Sequence, residues 1–114
     1  MPSPDTKTTP LCFVYMTVGS TDEARTIASA LIREKLAACV NLIQPMESFY
    51  EWEGEVRNDS EIVLIAKTRR TLFQALEKRV IELHSYDCPC VVALNIADGH
   101  PAFLQWIAAE TARS

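Results

Sequence analysis

The chain has 114 residues, of which 48% are hydrophobic and 23% are charged. This composition is typical of a folded globular domain and excludes a disordered or fibrous protein. Eleven basic and fifteen acidic residues give a net charge of -4, which disfavours sequence-independent binding to nucleic acid. The longest apolar runs, Leu11–Met16 and Ile62–Ala66, have strand length and fall far short of the ~18–20 residues of a membrane helix.

Three of the six prolines lie in residues 1–10, and we expect this segment to be a flexible tail before a single domain of residues 11–114. The first seven residues lack the basic-then-apolar layout of a secretory signal, which predicts a cytoplasmic protein with no membrane partner. In the cytosol thiols stay reduced. We therefore expect free thiols at all four cysteines, which are Cys12, Cys39, Cys88 and Cys90.

The first half of the domain predicts a strand, a helix and a second strand. Leu11–Val18 is rich in apolar, β-branched and aromatic residues, as strands are. Ser20-Thr21-Asp22-Glu23 has the S-x-x-E form of a capping box, and apolar residues at helical spacing then predict a helix to about Leu36. Ala38–Tyr50 follows as a long strand.

The second half predicts a returning strand, a helix, a short strand and a last helix. Glu53-Gly54 suits a two-residue turn, after which Glu55–Lys67 returns antiparallel to the preceding strand. Thr71 begins a second possible capping box, Val91–Ala97 has the character of a strand, and Pro101 suits the first turn of a short helix. The order βαββαβ predicts an α+β, ferredoxin-like sandwich with a long hairpin and a short C-terminal helix.

Three of the predicted strands are apolar on both faces, at Leu11–Met16, Ile62–Ala66 and Val91–Leu94. A strand with one face in water should alternate apolar and polar residues. Right-handed crossovers place the two long helices on the same face of the sheet, and the last helix is too short to cover the other face. We therefore expect a second copy of the chain to cover that face.

The predicted hairpin leads to the same expectation, because its arms are roughly twice the usual strand length. Phe49, Tyr50 and Trp52 lie near its tip, and aromatic strands that project into water are a liability unless a neighbour pairs with them. We predict that these three residues lie in an interface between subunits. The alternative is a bent hairpin that folds over its own sheet, with Pro45 at the bend.

Several motifs then resemble those of one protein family. They are Glu34-Lys35-Leu36-Ala37-Ala38-Cys39-Val40-Asn41-Leu42-Ile43, Tyr50-Glu51-Trp52-Glu53-Gly54, Glu61, Lys67-Thr68, His84-x-Tyr86-x-x-Pro89 and Leu104-x-Trp106. Together they span about residues 11–110 and are similar to the CutA family, often described as divalent-cation tolerance proteins. The resemblance implies a ferredoxin-like subunit, a tight homotrimer similar in plan to the PII signalling proteins, and binding of copper or another divalent metal ion, with no established catalytic reaction.

The resemblance also bears on the metal ligands. In relatives described as binding copper, the ligands are a cysteine at the end of the first strand and histidines just before the tyrosine of His-x-Tyr. In this chain the corresponding positions hold Met16 and His84, and Leu83 stands where a second histidine could be. The common His-Pro-Tyr is His84-Ser85-Tyr86 here, and Cys90 replaces an acidic residue.

The residues themselves suggest a soft metal site built around Cys88-Pro89-Cys90 and His84. Thiolate and thioether ligands favour Cu(I), while imidazole also suits Zn(II) and Cu(II). The C-x-C spacing differs from the C-x₂-C of zinc modules, and free cysteines are among the commonest core residues. A structural role is favoured for Cys12 and Cys39, whereas both roles stay open for Cys88 and Cys90. The predicted ligands are, in order, His84, Cys90, Cys88 and Cys39, with Met16 as a soft contributor.

Two charged residues frame the third predicted strand, with Glu61 at its apolar start and Lys67 at its end. Together with Tyr86 and Trp52 from the family motifs, they are predicted to line a pocket between subunits. The other acidic residues of the hairpin could bind a hard cation, but a solvated surface accounts for them equally well. The basic residues after Lys67 suit either an anion at a helix start or a solvated surface.

The leading hypothesis is a cytoplasmic, non-enzymatic homotrimer that binds a divalent or soft metal ion such as copper between its subunits, in metal tolerance or signalling. The alternative is a PII-like trimeric binding module or scaffold for a small anionic metabolite or a partner protein. A thiol-dependent enzyme is a third possibility, but the sequence has no nucleophile elbow and no H-E-x-x-H motif. We expect no organic cofactor.

Overall fold

A computed structural model describes residues 9–112. The predicted tail of residues 1–10 therefore lies almost entirely outside the described part of the chain. Four strands and three α-helices alternate along the sequence. They are β1 (Leu11–Val18), α1 (Thr21–Arg33), β2 (Cys39–Trp52), β3 (Glu55–Arg69), α2 (Phe73–Leu83), β4 (Val91–Asn95) and α3 (Pro101–Glu110).

The four strands form one antiparallel sheet in the order β2-β3-β1-β4. The two central strands, β1 and β3, are two of the three whose sequences are apolar on both faces, and the third, β4, is an edge strand. This order and the βαββαβ succession confirm the predicted α+β, ferredoxin-like fold. The sheet leaves β2 and β4 as its two edges.

The first helix ends at Arg33, earlier than the predicted end near Leu36. Lys35 has a positive φ of 58°, which an α-helix does not permit, and the N–H of Leu36 bonds back to the carbonyl of Leu31. The chain therefore turns sharply into β2. Helical spacing of apolar residues continues through this turn, which is why the sequence pattern overestimates the helix.

Other boundaries also differ from the sequence pattern. The capping box predicted at Thr71 does not form, because residues 70–72 make a 3₁₀ turn and α2 starts at Phe73 with no side-chain cap. Both hairpin strands run two residues further than predicted, to Trp52 and Arg69. The last strand ends at Asn95, two residues before the predicted end.

The core lies between the sheet and the helices α1 and α2. Alternate residues of the central strands point into it, among them Val14, Met16 and Leu64, which are fully buried. From the helices, Ile27 and Leu76 are likewise fully buried. This layer of helices covers one face of the sheet only.

The other face of the sheet, which we call the open face, is apolar and largely uncovered. Phe13 on β1, Val92 and Leu94 on β4 and Ile43 on β2 share this face by strand register, and they are 38 to 54% exposed. The short α3 covers one end of it: the guanidinium of Arg69 donates to the carbonyl oxygen of Ala108 at 2.7 Å. The remainder is a continuous apolar surface of the kind predicted from the two-faced strands.

The β2–β3 hairpin extends well beyond the helices, as the dimensions of 57 × 25 × 22 Å indicate. Its strands stay paired up to Trp52 and Glu55, with one irregularity between Ile43 and Met46. Near the tip Phe49 is 68% exposed, Trp52 58% and Val56 79%. The hairpin thus projects from the body with its apolar side chains in solvent.

Candidate functional site

The loop of residues 84–90, between α2 and β4, brings most of the predicted site residues to one end of the sheet. Its first residue, His84, is inserted into the protein with its side chain fully buried. The ring Nε2 donates a hydrogen bond to the carbonyl oxygen of Thr17 at 2.7 Å, because a carbonyl can only accept. The ring Nδ1 accepts from the N–H of Tyr86 at 3.1 Å and lies 3.2 Å from a carboxylate oxygen of Glu23.

Both ring nitrogens of His84 are therefore occupied by contacts within the chain. A metal ion needs a free lone pair on one of them. Ligation by His84 would require one of these contacts to open. The contacts instead fasten the loop to the end of β1.

Glu23 makes the second fastening of the loop. One of its carboxylate oxygens accepts from the N–H of Ser85 at 2.9 Å, and the other accepts from the Ser85 hydroxyl at 2.8 Å. The predicted capping box is only half formed, since Ser20 Oγ accepts from the N–H of Glu23 at 3.2 Å while the Glu23 carboxylate turns to the loop. The sequence pattern identifies the cap but misses this second use of the glutamate.

Tyr86 makes the third fastening. Its hydroxyl donates to Glu61 at 3.0 Å, and the other carboxylate oxygen of Glu61 accepts from the hydroxyl of Ser48 at 2.5 Å. Burial, reinforced by the hydrogen bond to Glu61, raises the pKa of Tyr86 to about 12. A Cβ on Gly19 would lie 3.0 Å from the Tyr86 hydroxyl, so the glycine leaves room for the ring.

The two thiols of the loop differ in their surroundings. Cys88 is exposed, whereas Cys90 is partly buried. Burial is the main cause that raises the pKa of Cys90, with a smaller contribution from the charge of Glu61, while a hydrogen bond with Thr17 opposes it. Cys90 is therefore a neutral thiol at neutral pH, and a metal ion would have to displace its proton.

The remaining predicted ligands lie elsewhere. Met16 is fully buried in the core on the helix side of the sheet, so its thioether could reach a metal ion only if the core opened. Cys39, at the start of edge strand β2, is paired with Lys67 in register, and the ammonium of Lys67 lies 3.6 Å from its sulfur. The fourth cysteine, Cys12, is fully buried, and burial raises its pKa.

Of the four residues predicted to line a pocket, one chain brings two together. Glu61 and Tyr86 are hydrogen-bonded beside a shallow hollow of about 190 Å³, lined in part by Glu61 and by Gly19. Lys67 lies at the far end of β3, where it also binds Asn41, and Trp52 lies at the hairpin tip. A pocket containing all four needs residues from more than one chain.

The described residues also lack a converging set of metal ligands. Stable protein sites for transition metals usually take three or four ligands from side chains that converge. Within residues 9–112, no group of three or more His, Cys, Asp or Glu side chains is placed to hold a metal ion. The described helices also include none that is long and apolar enough to cross a membrane.

A family model described as CutA1 divalent ion tolerance protein matches residues 12–110. The chain belongs to this family. The match includes the whole sheet except its first residue, the three helices and the loop of residues 84–90. The resemblance found in the sequence motifs is thereby confirmed.

Among curated members of the CutA family, the divalent-cation tolerance protein CutA of Thermus thermophilus is 47% identical over 98 residues. The alignment covers 86% of this chain and 95% of that protein. The chloroplastic protein CutA of Arabidopsis thaliana is 46% identical over 101 residues, which cover 89% of this chain and 56% of the plant protein. The chain thus spans little more than half of the plant relative.

Solved structures of CutA proteins share the fold. The crystal structure of CutA1 from Oryza sativa superposes with a TM-score of 0.90 at 44% identity, covering 95% of this chain and 99% of that one. The CutA of Archaeoglobus fulgidus, described as a periplasmic divalent cation tolerance protein, gives a TM-score of 0.86 at 40% identity and covers 90% and 99%. CutA proteins are thus described from more than one compartment.

Proposed function

We propose that this protein is a homotrimer that binds a divalent or soft metal ion, copper in the first place, in clefts between its subunits. It serves metal tolerance or signalling and catalyses no reaction. The names of its CutA relatives, which refer to divalent-cation tolerance, support this role. A cytoplasmic location is part of the proposal, because four free thiols suit a reducing compartment.

The open face supports the assembly. Its apolar side chains exceed what a monomer normally leaves in water, and a copy of the same chain is the partner that is always available. The last helix, α3, supports it further: Gln105 and Glu110 are its only strongly polar residues, and a helix that is apolar all round is usually buried. Phe103 and Trp106 on α3 are stacked 5.7 Å apart and more than 40% exposed.

The single observation that carries the metal site is the position of the accessible thiols. Cys39 starts one edge strand, β2, and Cys90 directly precedes the other, β4. A ring of copies that joins the β2 edge of one subunit to the β4 edge of the next brings Cys39 and Cys90 of two chains to the same end of the seam where the joined strands run parallel. Three chains then build three equivalent clefts, each with soft ligands for Cu(I).

Titration with Cu(I), in competition with a chromophoric chelator, tests this proposal. We expect wild-type protein to bind Cu(I) and a variant with serine at Cys39, Cys88 and Cys90 to lose that binding. His100→Gln is the control, because His100 lies before α3 and away from the loop. Equal Cu(I) affinity of wild type and the triple variant would contradict the metal site.

One observation favours the second candidate, a module for an anionic ligand. Lys67 lies on the open face over the ring of Phe13, 5.7 Å from its centre. Among the described residues the ion pairs do not include Lys67. A copy covering this face would bury the ammonium, which would then need an anion. If this second candidate is correct, pyrophosphate binds the wild-type protein, and Lys67→Ala abolishes that binding or weakens the trimer. The triple thiol variant then binds Cu(I) as well as the wild type does.

A further inference from the structure

Glu23 is separated from Cys88 and Cys90 by more than 60 positions in the sequence, yet its carboxylate holds the loop on which both thiols stand. We propose that Glu23 is a positioning residue for this thiol pair. It fastens the loop of residues 84–90 to the first turn of α1 and thereby fixes where the two sulfur atoms are presented.

The contacts of the carboxylate carry this inference. Both oxygens of Glu23 are used by loop donors, one by the N–H and the other by the hydroxyl of Ser85. The side chain of Glu23 is only 15% exposed, whereas Ser85 lies at the surface. Hydrogen bonds to an ionised carboxylate are also stronger than bonds between neutral groups.

The contact with the loop leaves the N-terminus of α1 with only part of its cap. A glutamate at this position of a capping box normally reaches back to the N–H of the cap residue. Glu23 leaves the helix with the cap made by Ser20 alone and directs both of its oxygens to Ser85. The local preference of the helix is therefore overridden by a contact that spans most of the chain.

Ser85 is suited to this contact because it supplies two donors from one residue. A proline at this position would supply neither, since it has no N–H and no hydroxyl. The preceding residue is compatible with a proline: His84 is extended, with φ −85° and ψ 143°, as a residue before proline prefers. Ser85→Pro therefore removes the Glu23 contact without a clash with the backbone of His84.

The fastenings are concentrated at the beginning of the loop. His84, Ser85 and Tyr86 are bound to β1, α1 and β3 respectively, whereas the thiols follow two to four residues later. Cys90 is partly buried against Thr17, and Cys88 is exposed. Without the Ser85 bonds only His84 and Tyr86 hold the loop, so the open state in which Cys90 is fully accessible is populated more often.

Alkylation kinetics test this without any metal ion. In Glu23→Ala we expect iodoacetamide to modify Cys90 about tenfold faster than in the wild type, which corresponds to ~1.4 kcal/mol of loop closing. Glu23→Gln and Ser85→Pro should also accelerate the alkylation of Cys90. Asp22→Ala is the matched control, because Asp22 is exposed in the same helical turn. The rate at Cys39, on the opposite edge, should stay within twofold in all variants.

The outcomes separate positioning from stability and from the proposed function. An unchanged Cys90 rate in Glu23→Gln and Ser85→Pro would overturn the inference, and so would an equal acceleration at Cys39, which indicates general unfolding. A second measurement, of Cu(I) affinity, rests on the proposed function. This affinity should fall about tenfold in Glu23→Ala. Faster alkylation of Cys90 in a protein whose wild type binds no Cu(I) would support the positioning role and contradict the proposed function.

Discussion

Leu94 allows a direct test of the proposal that a second copy of the chain covers the open face. It stands on edge strand β4 with 54% of its surface exposed in the single chain. Full burial of a leucine contributes about 1.5–3 kcal/mol, so covering the exposed half contributes ~1 kcal/mol in each subunit. In the proposed trimer, the loss of this side chain from all three subunits weakens the assembly by ~3 kcal/mol, on the order of a hundredfold in its dissociation constant.

Leu94→Asp adds a larger effect, because it places an unpaired carboxylate in the interface at several kcal/mol per copy. We expect this variant to sediment as a folded monomer at micromolar concentration. Its helix content and the core between sheet and helices should persist, since Leu94 faces away from that core. Ile81→Asp is the matched control: Ile81 is 51% exposed on α2, on the opposite side of the sheet. Unchanged assembly of Leu94→Asp would show that no second copy covers the open face at this residue.

Two further predictions concern Tyr86. The pKa of Tyr86, at about 12, is higher than the usual 10, so the contribution of Tyr86 to stability is complete below pH 10 and is lost as the pH rises toward 12. In unfolding measurements across this pH range, Tyr86→Phe should not show that loss of stability. Its tyrosinate absorbance should also lack the ionisation step at the highest pH. Gly19→Ala should push the Tyr86 ring from Glu61 and lower stability by about 1 kcal/mol in thermal or urea unfolding. The same change made together with Tyr86→Phe should cost less, and equal costs in both backgrounds would show that the two residues are independent.

Much of the fold could be predicted from local patterns in the sequence. The first strand and the Glu53-Gly54 turn follow directly from β-branched runs and turn chemistry, and the structure places them at the same residues. The two-faced strands predicted an uncovered apolar face, and the exposure of Val92 and Leu94 agrees with it. These features depend on near neighbours in the chain, which a single sequence displays.

The site could be predicted only in part, because its contacts join distant segments. Family motifs place Glu61 and Tyr86 in the same predicted pocket, but nothing in the sequence predicts their hydrogen bond or links Glu23 to Ser85. The structural role of His84 could likewise not be predicted from the sequence. Burial and two hydrogen bonds give His84 a role in holding the loop, which the motif does not reveal, and its predicted role as a metal ligand stays a prediction.

The proposed function rests on the claim that the open face is shared between copies of this chain. Sedimentation equilibrium of the wild-type protein at micromolar concentration tests it most directly. Three copies of the 12.8 kDa chain should give a mass of about 38 kDa, unchanged on dilution through that range. A stable species of 12.8 kDa would contradict the claim and remove every cleft that depends on a neighbouring subunit.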